Sequence, residues 1–377
     1  MRVLINCSTL KKGGGVQVGL SFLNEIKEFS NHKFTVVVSD ILKKQLNISE
    51  FSNSFEFFEY NLSPKLKGSI LGIDSYLGQL EDQVKPNVVF SIFGPTYWKS
   101  KAPHVVGYAK PQYVYKHTSP FYRLLSVIEK IKFLAKEKIQ LYNFRKFANV
   151  YITESPDVSE KLKKLMGTDL VYTVTNNYSG IYENPKIWKE NSKIKKFNGS
   201  TLLTISENYP HKNLAIIPKV VAYLNESYPD FKFRFVLTLD EKDFAGVTDI
   251  PSKNIECIGH VNVNECPHLY EHADIMFLPT LLECFSANYP EAMKMEVPII
   301  TSDLSFAHGI CGDAAYYINP LSFEEIGDAI VSIATNDSLR NRLIEQGKKQ
   351  VQKFDTSTNR AMKYIKILED AAGNTRP

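Results

Sequence analysis

Short runs of consecutive β-branched and aromatic residues recur through the first half of the chain: "RVLINC", "FTVVVS", "NVVFSI", "HVVGYA", "NVYITES" and "VYTVTN". Between them lie longer stretches with helical spacing, such as Val16, Leu20, Leu23 and Ile26, and later Leu124, Ile128, Ile131, Leu134 and Tyr142. Continuous apolar strands separated by helices predict a parallel sheet covered on both faces. The alternation pauses at "KIWKENSKIKKFNGS", which is polar and lysine-rich. It resumes with strands "TLLTIS", "KFRFVLTL", "IECIG", "DIMFLPT", "VPIITS" and "AAYYINP". Helices are expected from about Lys212, near "ECPHLYEHA" and after Asn288. The pattern predicts an α/β chain of two doubly wound, Rossmann-like domains facing across a cleft. The expected boundaries are 1–185 for the first domain, 186–200 for a linker and 201–355 for the second. A C-terminal helix and tail over 356–377 are expected to pack back toward the first domain. Sheets of this kind bind ligands beyond the carboxyl ends of their strands, so the cleft is the expected site.

The length of 377 residues is more than one ordinary core, and 44% apolar with 23% charged residues is globular usage. The five cysteines form no CxxC pair, which argues against a zinc site or a disulfide framework and suits a reducing compartment. Met1-Arg2 opens a short apolar run that Lys11-Lys12 soon ends, so it reads as a strand and not as a signal peptide. No apolar run approaches the roughly 18 residues of a spanning helix. The net charge of +4 is uneven: Lys101, Lys110, Lys116, Arg123, Lys130, Lys132, Lys136, Lys138, Arg145 and Lys146 face only Glu129 and Glu137 in that region. Such a run is either a solvated helix face or a surface that meets anionic lipid or a phosphorylated acceptor.

Gly13-Gly14-Gly15 follows the first strand. A dinucleotide fingerprint would need glycine at Val18, but Gly19 is one place late, although Asp40 ends the second strand. The run is either a tight turn or a loop in which Gly14 and Gly15 approach donor phosphates or the acceptor.

"LLECFSANYPEAMK" places Glu283 past a strand end and Glu291 inside a helix start. Asn288 as an N-cap with Glu291 at the third helical position would explain the second acid structurally, and Glu283 would then be a solvated carboxylate. The other reading uses both. A helix start with small residues Ser286 and Ala287 suits a diphosphate, and carboxylates on either side accept hydrogen bonds from vicinal hydroxyls.

The run "PTLLECFSANYPEAMKMEVPIITSD", with "GDAAYYINP" beyond it, resembles the E-x7-E signature of retaining GT-B glycosyltransferases, glycosyltransferase family four. The resemblance covers about 201–320. It implies that Glu283 holds the transferred sugar and Glu291 the ribose, with Cys284, Phe285, Ser286, Ala287 and Asn288 lining the donor site. The family's G-R-x-x-x-x-K run corresponds to "SENYPHKN". Lys212 keeps the lysine, with His211 beside it, while Ser206 and Glu207 replace glycine and arginine. Ile258, Gly259 and His260 correspond to the nucleobase pocket. His104 is a candidate catalytic residue, and Tyr108 and Lys110 are candidates for acceptor binding. The implied reaction moves a sugar from a nucleoside diphosphate sugar to a saccharide or lipid-linked saccharide hydroxyl, with no cofactor; no DxD-like motif stands at a strand end, so no metal is expected. The implied setting is bacterial capsule, O-antigen or exopolysaccharide assembly in the cytoplasm, with peripheral contact at an anionic membrane surface and no nucleic acid. A GT-B epimerase, a non-catalytic nucleotide-sugar scaffold and a nicotinamide oxidoreductase are the rivals.

Overall fold

The computed structural model describes residues 1–11, 13–60, 74–245 and 252–373. It divides into two units. The first comprises Met1–Val114, Leu124–Thr175 and the chain from Asp355; the second comprises Tyr115–Arg123 and Asn176–Phe354.

The first unit holds β1 (Arg2–Cys7), β2 (Lys33–Val38), β3 (Phe55–Glu59), β4 (Val88–Ser91), β5 (His104–Gly107), β6 (Val150–Thr153) and β7 (Val171–Thr173). They form one parallel sheet in the order β3-β2-β1-β4-β5-β6-β7. Alternate residues of β1 serve opposite layers, as a strand's two-residue period requires. Val3, Ile5 and Cys7 pack with Phe22, Leu23 and Ile26 of the helix Gly14–Ile26 and with Tyr364 and Leu368 of the helix Ser357–Gly373. Leu4 packs with Leu77, Leu80 and Trp98 on the other face. Both faces of β1 are packed, which is why it reads as a nearly unbroken apolar run. The C-terminal helix is also pinned electrostatically: Arg360 donates to Glu25 at 2.9 and 2.5 Å, and both side chains are buried.

The second unit repeats the plan with β8 (Ser200–Thr204), β9 (Phe233–Leu237), β10 (Ile255–Cys257), β11 (Ile275–Leu278), β12 (Ile299–Ser302) and β13 (Ala315–Ile318). The order is β10-β9-β8-β11-β12-β13, all parallel. Leu202, Phe235, Phe277 and Ile300 face the helices Ile217–Ser227 and Phe323–Thr335. Leu203, Val236, Met276 and Ile299 face the side of the helices Cys266–Glu271 and Asn288–Lys294.

Three sequence expectations change. The unit boundary falls at Thr175 and Asn176, and the stretch read as a linker over 186–200 is part of the second unit. Ile194 is buried in that unit's core, Lys189 N–H donates to Asn264 O at 2.9 Å, and Lys193 donates to Ile258 O at 2.6 Å. A polar segment thus packs by saturating its hydrogen bonds, with little apolar burial to reveal it. The helix expected from Lys212 begins at Ile217, because Asn213 is left-handed (φ 57°) and Pro218 occupies the first turn. In the helix Val127–Phe147, the residues that announce the helix by their spacing are turned outward. Leu141, Phe144 and Phe147 make its buried face instead.

Candidate donor site at the strand-order reversal

In the second sheet β8 lies beside β11, and chain order reverses between them. The helices that follow these two strands pack on opposite faces of the sheet, and it is at the carboxyl ends of strands so arranged that sheets of this kind bind ligands. The segment after β8 carries Ser206, Glu207, His211 and Lys212, and the segment after β11 carries Thr280 to Ala287. Hydrogen bonds tie the two segments together. Leu281 N–H donates to His211 O at 2.7 Å, and Thr280 Oγ1 is 3.1 Å from the same carbonyl. Asn288 Nδ2 donates to Ile205 O at 2.6 Å, and Ser119 Oγ donates to Leu281 O at 2.7 Å.

At the centre Lys212 Nζ donates to Glu283 Oε1 at 2.5 Å, with Thr280 Oγ1 3.1 Å from the same oxygen. The side chains retain only 14% and 10% exposure. Removing two charges from water costs about as much as their attraction returns, so such a pair is poor as a stabilising device. Its placement at the ligand-binding end of the sheet points instead to a cation and an anion held ready for a charged partner. His211 stacks on Tyr209 with ring centroids 5.6 Å apart. Burial lowers its pKa, Glu283 raises it and Lys212 lowers it, so the ring is neutral at neutral pH.

Glu291 sits in the helix Asn288–Lys294, beside Tyr270 and Tyr182. Tyr270 OH donates to Glu291 Oε2 at 3.2 Å. Desolvation pushes this carboxyl up to about 7, against the lowering effect of the two tyrosine hydroxyls. The acid therefore changes charge near neutral pH, and a hydroxyl-bearing ligand would meet a group able to donate or accept.

Asn288 is not the N-cap of this helix. Ala287 holds that position, and the Asn288 amide is spent on Ile205 O, so Glu291 falls at the fourth helical residue. Cys284 and Ser286 are buried, and Phe285 packs edge-on against Phe354 at 5.9 Å. Ser206 N–H donates to Thr238 Oγ1 at 3.1 Å. Glu207, standing where the family arginine is expected, lies 3.7 Å from His260 Nε2 with both side chains exposed. Ile258 N–H donates to Leu237 O at 2.9 Å and Gly259 N–H to Leu239 O at 2.8 Å. Those amides are therefore used by the sheet edge. Gly259 has φ 74°, and a Cβ there would stand 3.0 Å from Asp240 Oδ1 and 3.1 Å from Lys193 Nζ, so glycine is required.

The remaining candidates belong to the first unit. Gly14 and Gly15 open the helix after β1, beside β4, where the first sheet reverses its own order. His104 is fully buried at the start of β5, with Nε2 2.8 Å from Ser91 Oγ and its ring 4.8 Å from Trp98. Desolvation pushes it down to about 3. It has no surface with which to meet a substrate, and its role is packing. Tyr108 is likewise fully buried, packs on Phe144 at 5.1 Å and donates to Lys110 O at 2.9 Å. The burial rules out direct acceptor contact by Tyr108. Lys110 is partly exposed. Sequence reading gave no role to Thr280, although it stands within the quoted run three residues before Glu283. It missed Tyr182, Tyr270, Lys193 and Ser119, since none carries a motif and each is brought there only by the fold.

Residues 186–350 match the model of the family Glycosyl transferases group 1. An O-antigen chain mannosyltransferase of Salmonella typhimurium is 26% identical over 207 residues, 53% of this chain and 54% of that protein. A capsular polysaccharide biosynthesis glycosyltransferase of Staphylococcus aureus is 27% identical over 117 residues, 30% of each chain. The chain thus spans about half, or less, of the length of these relatives. Among solved structures, sucrose-phosphate synthase from Thermosynechococcus elongatus superposes with a TM-score of 0.71 at 12% identity, covering 100% of both chains. Anabaena Alr3699/HepE in complex with UDP-glucose gives 0.70 at 13% identity, covering 98% of this chain and 100% of that one.

Proposed function

We propose that this GT-B glycosyltransferase-like chain, with its glycosyl transferases group 1 segment at 186–350, moves a sugar from a nucleoside diphosphate sugar to a saccharide hydroxyl with retention at the anomeric carbon. The observation that carries the proposal is the Lys212–Glu283 pair at the reversal of strand order. In the resting site Glu283 holds the ammonium of Lys212. A diphosphate entering this site competes for that ammonium and frees the carboxylate to accept hydrogen bonds from the sugar's hydroxyls. As the anomeric bond breaks, negative charge grows on the departing diphosphate. A cation already positioned beside it stabilises that charge without reorganisation, an effect worth several kcal/mol. Glu291, with Tyr182 and Tyr270 beside it, receives the ribose hydroxyls. No divalent ion is required in this scheme, and turnover should survive chelation.

The relatives' names support assembly of a bacterial surface polysaccharide as the setting. Titration calorimetry with UDP, GDP and ADP, followed by anomeric proton NMR of the product, tests the proposal. Wild-type protein should bind one nucleoside diphosphate and give a product with the donor's anomeric configuration. Glu283→Gln should keep the nucleotide and lose turnover. An inverted product, or absence of nucleotide binding, would overturn it. One observation favours a second reading. Glu207 places an acid, paired with His260, where the family resemblance calls for arginine. A non-catalytic nucleotide-sugar scaffold would bind donor and never consume it.

A further inference from the structure

The helix Val127–Phe147 has its N-terminal turns outside the core. Val127, Ile128 and Ile131 are 71%, 66% and 62% exposed, and Leu134 and the preceding Leu124 are exposed too. At about 100° per residue, Val127, Ile128, Ile131 and Leu134 share one face. Lys130 and Lys132 flank that face on its two sides. Further along the same face come Lys138, Tyr142, Arg145 and Lys146, all exposed. Of the two acids of the helix, Glu129 is bound into the capping box with Ser126 and interacts with Lys132 alone among these cations, and Glu137 is buried, so the cations outnumber the acids on the outer face. Branched aliphatics left in water over two turns cost free energy that the fold does not recover, so the face is kept for something outside this chain. Cations on both flanks and beyond select an occupant that is apolar within and anionic at its surface. No helix among the described residues is long and apolar enough to cross a membrane, so the contact would lie in the lipid headgroup region.

We infer that the outward face of Leu124 to Leu134, with Lys130, Lys132, Lys138 and Arg145, docks the first unit on an anionic lipid surface. The aliphatic side chains enter the boundary between headgroups and acyl chains, and the lysines stay at the phosphates. This docking is independent of the donor-site chemistry proposed above.

The test is co-sedimentation of the full chain with vesicles of phosphatidylcholine alone and of phosphatidylcholine with equimolar phosphatidylglycerol, at low and high salt. Wild-type protein should sediment with the anionic vesicles, weaken with salt and ignore the neutral ones. Ile128→Ser with Ile131→Ser should lower the partition coefficient about tenfold or more. Lys130→Gln with Lys132→Gln should lower it roughly thirtyfold and flatten the salt dependence. All four positions are largely clear of the core, and circular dichroism melts check that the variants fold. Failure of wild-type protein to bind anionic vesicles, or equal binding by the folded variants, overturns the inference. So does a wild-type dimer that Ile128→Ser with Ile131→Ser converts to monomer, since the face would then join two copies of this chain.

Discussion

Replacing Glu291 by glutamine removes a carboxyl that burial holds at about 7 in the folded chain, against 4.5 for the ordinary group. The sign follows from proton counting. Between about 4.5 and 7 the unfolded chain has lost this proton while the folded chain keeps it. The folded state binds more protons, so stability falls as pH rises through that window. The difference of some 2.5 units corresponds to about 3 kcal/mol at about 1.4 kcal/mol per unit. That is an upper value, because Glu291 keeps partial exposure. Glu291→Gln is neutral at every pH and lacks the slope, while other titrating groups cancel between the two proteins. Urea melts at a series of pH values, followed by fluorescence of Trp188 in the second unit, measure the difference. Glu291→Gln should gain on wild type progressively from about pH 4.5 and level off above about pH 7.5. A difference that stays flat across this range would refute the claim that the pocket of Tyr182 and Tyr270 desolvates the acid. In the donor-binding reading, nucleotide affinity of wild-type protein should also change across the same window, and that of Glu291→Gln should not.

Other outcomes follow from the same geometry. Lys212→Met should destabilise the second unit by about 3–5 kcal/mol in urea melts, because it strands a buried carboxylate, and Lys212→Met with Glu283→Gln should recover most of that loss without restoring turnover. Recovery of turnover in the double variant would remove the pair from the mechanism. Gly259→Val should cost about 1–3 kcal/mol from its left-handed backbone alone, with weaker nucleotide binding by calorimetry. Arg360→Ala should loosen the helix Ser357–Gly373 from the first unit, since it leaves Glu25 buried beside an empty place; hydrogen exchange in that helix should rise while the second unit is unchanged. His104→Gln should lower stability and leave the Michaelis constants untouched, because the ring is interior packing.

Parallel order and the two-sheet plan were legible in the chain because strands covered on both faces are mostly apolar; "DIMFLPT" carries that constraint openly, and so does "RVLINC", whose buried Asn6 is paired with Ser91. Glu283 and Glu291 could be singled out because one stands past a strand end and the other inside a helix start, whereas Lys212 was singled out by the family resemblance alone, since the helix expected from it begins at Ile217. Segment 186–200 was not, since its place in the second unit rests on hydrogen bonds from Lys189 and Lys193 that leave no periodic trace. Nor were the fates of His104 and Tyr108, whose burial is decided by Trp98 and Phe144, brought to them by other elements. Nor was the outward turn of Ile128 and Ile131, because apolar spacing specifies a helix and one face but not which face the rest of the chain will cover. Local sequence thus fixes period and element, where neighbours along the chain supply the interactions. Burial, charge pairing and titration belong to the tertiary structure, because they depend on groups far apart in sequence: Lys212 meets Glu283 only because β8 lies against β11.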